Sequence, residues 1–321
     1  MAAIFLFVDG VGAGIRDPDV NPLARGDFLL SRFQGGEGEA LPHGGRAVLA
    51  DACLGVPGRP QSATGQSAIL SGENAPAALG QHLLGFPNAR LRAWLEPRSI
   101  FRLLAGEGKT AAFANAYPVA HLHALGLPAS GEPEFPMELV RRRSRASATT
   151  VAFAAGSGRF RTWEDARRGQ ALTHDITGAR ANGHGAGIPP REPEEAAGML
   201  LDISREHDLT LFEFFETDEA GHARSMERAV EALSRVDRLA RALVEGLGEG
   251  DSLVVASDHG NVEDLGNRNH TRNPVPVLAF GPAAGLLGRV TDLTGIAPLL
   301  RAVAGGEVAG GAVLPARPER S

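Results

Sequence analysis

The sequence has one cysteine, Cys53, in 321 residues, which excludes an intramolecular disulfide. It has one lysine, Lys109; every other basic side chain apart from histidine is arginine. No apolar run approaches the roughly 20 residues of a membrane-spanning helix. The opening MAAIFLFVDG has no basic segment, and its apolar run is too short for a secretion signal. An excess of positive charge is also missing. The formal net charge is −6, which argues against the basic face of a nucleic-acid binder. An anionic substrate stays compatible, because the charge of a bound metal can outweigh the average locally. These absences lead us to expect a soluble, cytoplasmic protein with no membrane or nucleic-acid partner. No repeat of fixed period is present, and no feature fixes an oligomeric state.

What is present suits a folded enzyme-sized chain. It is 43% hydrophobic and 22% charged, enough for one large core or a core with a small extra domain. Ile4 to Val8 reads as a buried parallel strand running into Asp9-Gly10-Val11-Gly12. The glycine spacing is not that of a dinucleotide-binding turn, and Asp9 would occupy the pyrophosphate position. Asp9 is better read as a metal ligand, with glycine letting the backbone turn sharply away. Ala47 to Leu54 is ambiguous. Ala68 to Leu70 is a short helical pattern ending near Gly72, with Ser62 upstream where an N-cap is expected. That serine is either simply a cap or a nucleophile at a helix N-terminus, where free N–H groups receive phosphate.

Ser99 caps a helix beginning at Ile100, and Thr110 to Ala114 follows as a strand. Helical spacing returns at 192–205, with Pro193 in the first turn. Leu209 to Glu216 reads as a strand that releases Asp218 and His222. Ser225 to Leu247 is an amphipathic helix, stopped by Gly248. Leu253 to Ala256 is a strand that releases Asp258 and His259. His270 precedes a last apolar run, Val275 to Phe280.

Parallel strands put their ends on one edge, so Asp9, Asp218, His222, Asp258, His259 and His270 are expected to meet there. Carboxylates beside imidazoles suit Mn²⁺ or Zn²⁺. Three carboxylates leave two divalent ions with one positive charge uncompensated, which an ionised Ser62 would cancel. Such a site attracts a phosphate dianion and clamps an in-line displacement. The remaining histidines, His121 and His174 among them, are assigned to surface, packing or capping roles.

DHGN followed by NHTRNPVP resembles the C-terminal metal motif of cofactor-independent phosphoglycerate mutase. With DGVG, Ser62 ahead of a glycine and D-x-x-G-H, the chain resembles the alkaline phosphatase superfamily in its metalloenzyme, phosphomutase-like branch, over about 1–115 and 190–305. The resemblance implies an α/β three-layer sandwich with a mostly parallel central sheet and a small inserted cap. We place the core at 1–120 and 186–321 and the cap or lid at 121–185. It further implies one ion on Asp218, His222 and His270, and another on Asp9, Asp258, His259 and Ser62. Ser62 would be the catalytic residue, carrying a covalent phosphoryl group; Thr64 is the alternative. Gln61 and Gln66 stand where the family often has Asp or Asn and a His. Lys109 is the sole candidate for a lysine near the transferred phosphate. Arg141, Arg143, Arg159 and Arg161 are candidates for a second anionic group of the substrate.

The expected function is two-metal phosphoryl transfer on a small phosphomonoester. A phosphatase or phosphodiesterase using water is the first alternative, and a non-catalytic binding protein that keeps the metal fold is the second.

Overall fold

The computed structural model describes residues 1–35, 41–131, 145–156 and 158–306. Among the described residues, eight strands occur in chain order: β1 (Ala3–Val8), β2 (Arg46–Ala50), β3 (Ala111–Phe113), β4 (Ala116–Tyr117), β5 (Arg161–Thr162), β6 (Leu209–Phe214), β7 (Ser252–Ala256) and β8 (Val275–Phe280). β4 and β5 form a separate parallel pair. The others form one sheet in the order β2-β8-β7-β1-β6-β3. The run β7-β1-β6-β3 is parallel, with β3 at its edge, while β8 runs antiparallel to both β7 and β2.

The helices are α1 (Ser62–Ser71), α2 (Ala75–Leu79), α3 (Ala89–Leu95), α4 (Ile100–Gly106), α5 (Val119–Leu125), α6 (Ala148–Ala155), α7 (Trp163–Arg167), α8 (Ala179–Asn182), α9 (Pro193–Arg205), α10 (Glu216–Ala223), α11 (Met226–Gly246) and α12 (Ile296–Gly305). None of the described helices is long and apolar enough to cross a membrane.

The sheet is apolar on both faces, as a parallel sheet covered by helices must be. In β1, Ala3, Phe5 and Phe7 enter one core with residues of α1, α4, α6 and α12. Ile4, Leu6 and Val8 enter the other with α9 and α11. The result is an α/β three-layer sandwich with a mostly parallel central sheet. The amphipathic pattern of α11 is realised: Leu233, Val236, Leu239 and Leu243 are buried, and the Ser225 hydroxyl accepts the Arg228 N–H.

Within 121–185, α6 buries Val151, Ala152 and Phe153 in the same core as Phe101 and Phe113. The Ser99 hydroxyl donates to the Ala152 carbonyl at 2.7 Å, which ties α6 to the start of α4. The edge that matters is where β1, β6 and β7 end. β8 runs the other way, so the loop that enters it reaches the same rim.

Candidate metal centre and active site

Each strand end delivers its residue by a different local device. After Val8, the Asp9 N–H donates to the Phe214 carbonyl at 2.9 Å, so Asp9 extends the β1–β6 pairing by one residue. Gly10 follows with φ +75°; a Cβ there would lie 2.7 Å from the Asp218 side chain, so only glycine fits. The same backbone excludes a dinucleotide fingerprint, because the space after β1 is filled by Asp218. On α10, Asp218 and His222 lie one helical turn apart, and His222 Nε2 stands 3.2 Å from Asp218 Oδ2.

Ser62 is the first helical residue of α1, and Gln61 takes the N-cap position without a side-chain cap bond. This corrects two expectations. The helix starts at Ser62 rather than Ala68, and Ser62 is not a cap. Its hydroxyl is therefore free of capping and lies 3.0 Å from His259 Nε2. Thr64 is committed elsewhere: its hydroxyl donates to the Gln61 carbonyl at 3.2 Å and accepts the Leu83 N–H at 3.2 Å. Gly65 lets α1 approach the β7 loop, since a Cβ there would meet the Asp258 carbonyl at 3.0 Å.

All seven residues singled out from the sequence converge. Ligand atoms of Asp9, Asp258 and His259 lie within 4.8 Å of one another, as do those of Asp218, His259 and His270. His259 Nε2 is 3.3 Å from Asp9 Oδ1 and 3.6 Å from Asp258 Oδ2. His270 Nε2 is 3.2 Å from His222 Nε2 and 3.7 Å from Asp218 Oδ1. The His259 and His270 rings stack at 3.7 Å, so one imidazole bridges the two groups.

The protein by itself leaves this cluster unsatisfied. Asp258 and His259 are fully buried, yet both Asp258 oxygens, Asp9 Oδ1 and His259 Nδ1 have no hydrogen-bond partner. Burial, then the neighbouring Asp258 and Asp218, pushes the Asp9 carboxyl well above its usual range. Burial and then Asp218 push Asp258 up as well. Burial holds His259 down at about 3, with His270 adding to the effect. Buried anions of one sign and neutral imidazoles with free lone pairs are what divalent cations require.

His270 adds a sharper sign. Its Nδ1 lies 3.1 Å from the Pro60 carbonyl, which only accepts, so Nδ1 carries the proton. Nε2 then presents its lone pair to the cluster, the orientation of a metal-ligating histidine. The residues present fit divalent metal.

Sequence reasoning missed the residues that hold the ligands in place. Glu263 is fully buried and accepts from Gly12 N–H at 3.0 Å, Asn261 N–H at 2.7 Å, Asn273 Nδ2 at 2.9 Å and the Thr271 hydroxyl. It thereby ties the Asp9, Asp258 and His270 loops together. Asn261 Nδ2 donates to Asp218 Oδ1 at 2.6 Å, and the Thr217 hydroxyl donates to the Asp9 carbonyl at 2.5 Å. The adjacent E in DHGNVE was the available signal.

Several candidate cations are placed elsewhere. Lys109 pairs with Asp208 at 3.2 Å, just before β6 begins, on the edge opposite the cluster. Arg159 donates to the Ala129 carbonyl at 2.7 Å, and Arg161 to the Gln170 carbonyl at 2.6 Å. Both guanidiniums brace the polypeptide of the 121–185 segment. Arg141 and Arg143 lie outside the described residues. His121 and His174, assigned to surface or packing, instead line a cavity that opens beside Ser62, Asp9 and Asp218.

A sequence model of the Metalloenzyme superfamily matches residues 192–300. The 2,3-bisphosphoglycerate-independent phosphoglycerate mutase of Paracoccus denitrificans is 34% identical over 114 residues, 33% of this chain and 22% of that protein. Its counterpart in Halobacterium salinarum is 36% identical over 107 residues, 30% of this chain and 21% of that protein. The matched stretch thus spans about a fifth of these relatives. Among solved structures, the PH0037 protein of Pyrococcus horikoshii covers 98% of both chains with a TM-score of 0.57 and 13% identity. Alkaline phosphatase from the Antarctic bacterium TAB5 covers 95% of this chain and 98% of its own, with a TM-score of 0.52 and 13% identity. Residues 192–300 are thus similar to the Metalloenzyme superfamily, and the fold as a whole is that of the alkaline-phosphatase-like structures.

Proposed function

We propose that this protein is a metal-dependent phosphoryl-transfer enzyme acting on small phosphomonoesters, with Ser62 as the group that receives the phosphoryl. One observation carries the reading: a serine hydroxyl at the start of a buried helix lies 3.0 Å from His259, inside a ring of three carboxylates and three imidazoles. Asp9, Asp258, His259 and Ser62 would hold one divalent ion, and Asp218, His222 and His270 the other, as Mn²⁺ or Zn²⁺. Bound there, the ions would supply Lewis-acid stabilisation of the phosphoryl oxygens and favour the ionised serine.

The chain's own groups supply positioning. The free N–H groups in the first turn of α1 face the phosphoryl oxygens, where the helix dipole favours negative charge. Ser62 Oγ, having lost its proton to solvent, attacks phosphorus in line. The bond from phosphorus to the alcohol oxygen breaks, and that oxygen takes a proton from water. In the second half, water or another hydroxyl attacks the phosphoserine, which releases Ser62. Water gives hydrolysis, and a hydroxyl of the same substrate gives a mutase.

The test is incubation of the Mn²⁺- or Zn²⁺-loaded chain with phosphate esters, following free phosphate and isomerised ester separately. Metal-dependent turnover that disappears in Ser62→Ala supports the reading. Full activity in Ser62→Ala overturns the role of Ser62. No turnover of any ester, with no metal bound, favours a non-catalytic binding protein.

A further inference from the structure

The cavity beside Ser62 encloses about 400 Å³, far more than a phosphate group occupies. Its wall away from the metal ligands is made of rings. Tyr117 and His121 stack at 5.9 Å with planes 9° apart. His174 meets Tyr117 edge-on at 5.0 Å and Phe215 at 5.0 Å. Phe86, 45% exposed, lies on the same cavity from the loop after α2. A phenyl group left this open to water at the mouth of a site is an unspent apolar surface.

The charges there do not suit a short dianion. Beyond Asp9 and Asp218, the charged side chains lining the cavity among the described residues are Arg145, Arg180, Glu213 and Glu219. Arg180 pairs with Glu219 at 2.7 Å and lies over the Phe215 ring at 5.2 Å. Among the described residues one guanidinium and one buried carboxyl then remain, which form no cationic cradle for a second acidic group. Burial also keeps His174 neutral, at about 4, so it acts as another ring rather than as a cation.

We propose that this wall is the subsite for the alcohol portion of the substrate and takes a planar ring, so that the preferred substrates are phosphomonoesters of ring-bearing alcohols, nucleoside or aryl. The proposal rests on the phosphoryl-transfer reading of Ser62, with the phosphoryl at Ser62 and the ring against Phe86, His121, His174 and Phe215. Ring stacking distinguishes these esters from glycerol phosphate or phosphoglycerate, which offer no face to the wall.

The test compares phosphonates, which bind but are not turned over, on the metal-loaded full chain by calorimetry. Phenylphosphonate and a nucleoside 5′-methylenephosphonate are set against methylphosphonate. The expected result is about tenfold tighter binding of at least one ring compound, with the better of the two identifying an aryl or a nucleoside source. Phe86→Ala, at a position 45% exposed, is expected to reduce that preference severalfold. Phe215→Ala is the second variant, compared only if its unfolding temperature stays near that of the parent. Equal binding of all three phosphonates overturns the ring subsite while leaving phosphoryl transfer intact, and so does a preference that both variants keep. If no phosphonate binds and no ester is turned over, both readings fall together.

Discussion

Replacing Glu263 by glutamine tests how the ligand loops are held. The carboxylate is buried and accepts four hydrogen bonds, from Gly12, Asn261, Thr271 and Asn273. The first three belong to, or adjoin, the loops that carry Asp9, Asp258 with His259, and His270. An amide of the same shape keeps one acceptor oxygen and turns an NH₂ group toward donors that have no other partner. Two of the four bonds are lost, each worth about 1–3 kcal/mol when the partner left behind is buried. Glutamine also removes the desolvation cost of a buried charge, which offsets part of that loss. The net expectation is a destabilisation of about 2–4 kcal/mol. At about 2.1 cal/mol/K per residue, a chain of 321 residues unfolds with an entropy of about 0.7 kcal/mol/K. Glu263→Gln therefore lowers the unfolding temperature by about 3–6 °C in scanning calorimetry. Because the loops loosen together, metal affinity falls by about 10–100-fold in a titration of the metal-free protein. A variant with the parent's unfolding temperature and the parent's metal affinity would refute the role given to Glu263.

Three further outcomes follow from the geometry. Ser62 does not cap its helix, so Ser62→Ala abolishes turnover while leaving the unfolding temperature within about 2 °C of the parent; a large loss of stability contradicts this. Burial raises Glu213 from 4.5 to about 7. The unfolded chain therefore ionises first as pH rises, and the protein loses stability between those two values, by on the order of 3 kcal/mol. Urea unfolding of Glu213→Gln should show that loss removed, the gap to the parent being absent near pH 4 and fully open near pH 8. Lys109 sits on the far edge of the sheet in a half-exposed pair with Asp208, so Lys109→Met changes stability by less than about 1 kcal/mol and leaves turnover unchanged.

The strands and the clustered carboxylates were legible because both signals are local. Val8, Phe214 and Ala256 end apolar runs, and each is followed within a few residues by an aspartate of the cluster. The supporting shell was not legible, because its partners are far apart in sequence. Glu263 bonds Gly12 across 251 positions, and nothing near either residue announces the other. His121 and His174 are separated by 53 positions and share a cavity only because Tyr117 stands between them. β2 was ambiguous for a physical reason. It is an edge strand with two of its five residues exposed and one buried, so its alternation is weak and Leu49 is 37% exposed. The start of α1 was misplaced because its polar residues are buried. Thr64, Gln66 and Ser67 are all buried, so the helix lacks the alternation of apolar stripe and polar face that marks a surface helix.

The central claim is that Asp9, Asp218, Asp258, His222, His259 and His270 bind divalent ions next to Ser62. The most direct measurement is the metal content of the full chain after saturation with Mn²⁺ or Zn²⁺ and removal of excess. Two equivalents per chain are expected, falling to one in Asp258→Asn. A parent chain that retains no metal while remaining folded would contradict it.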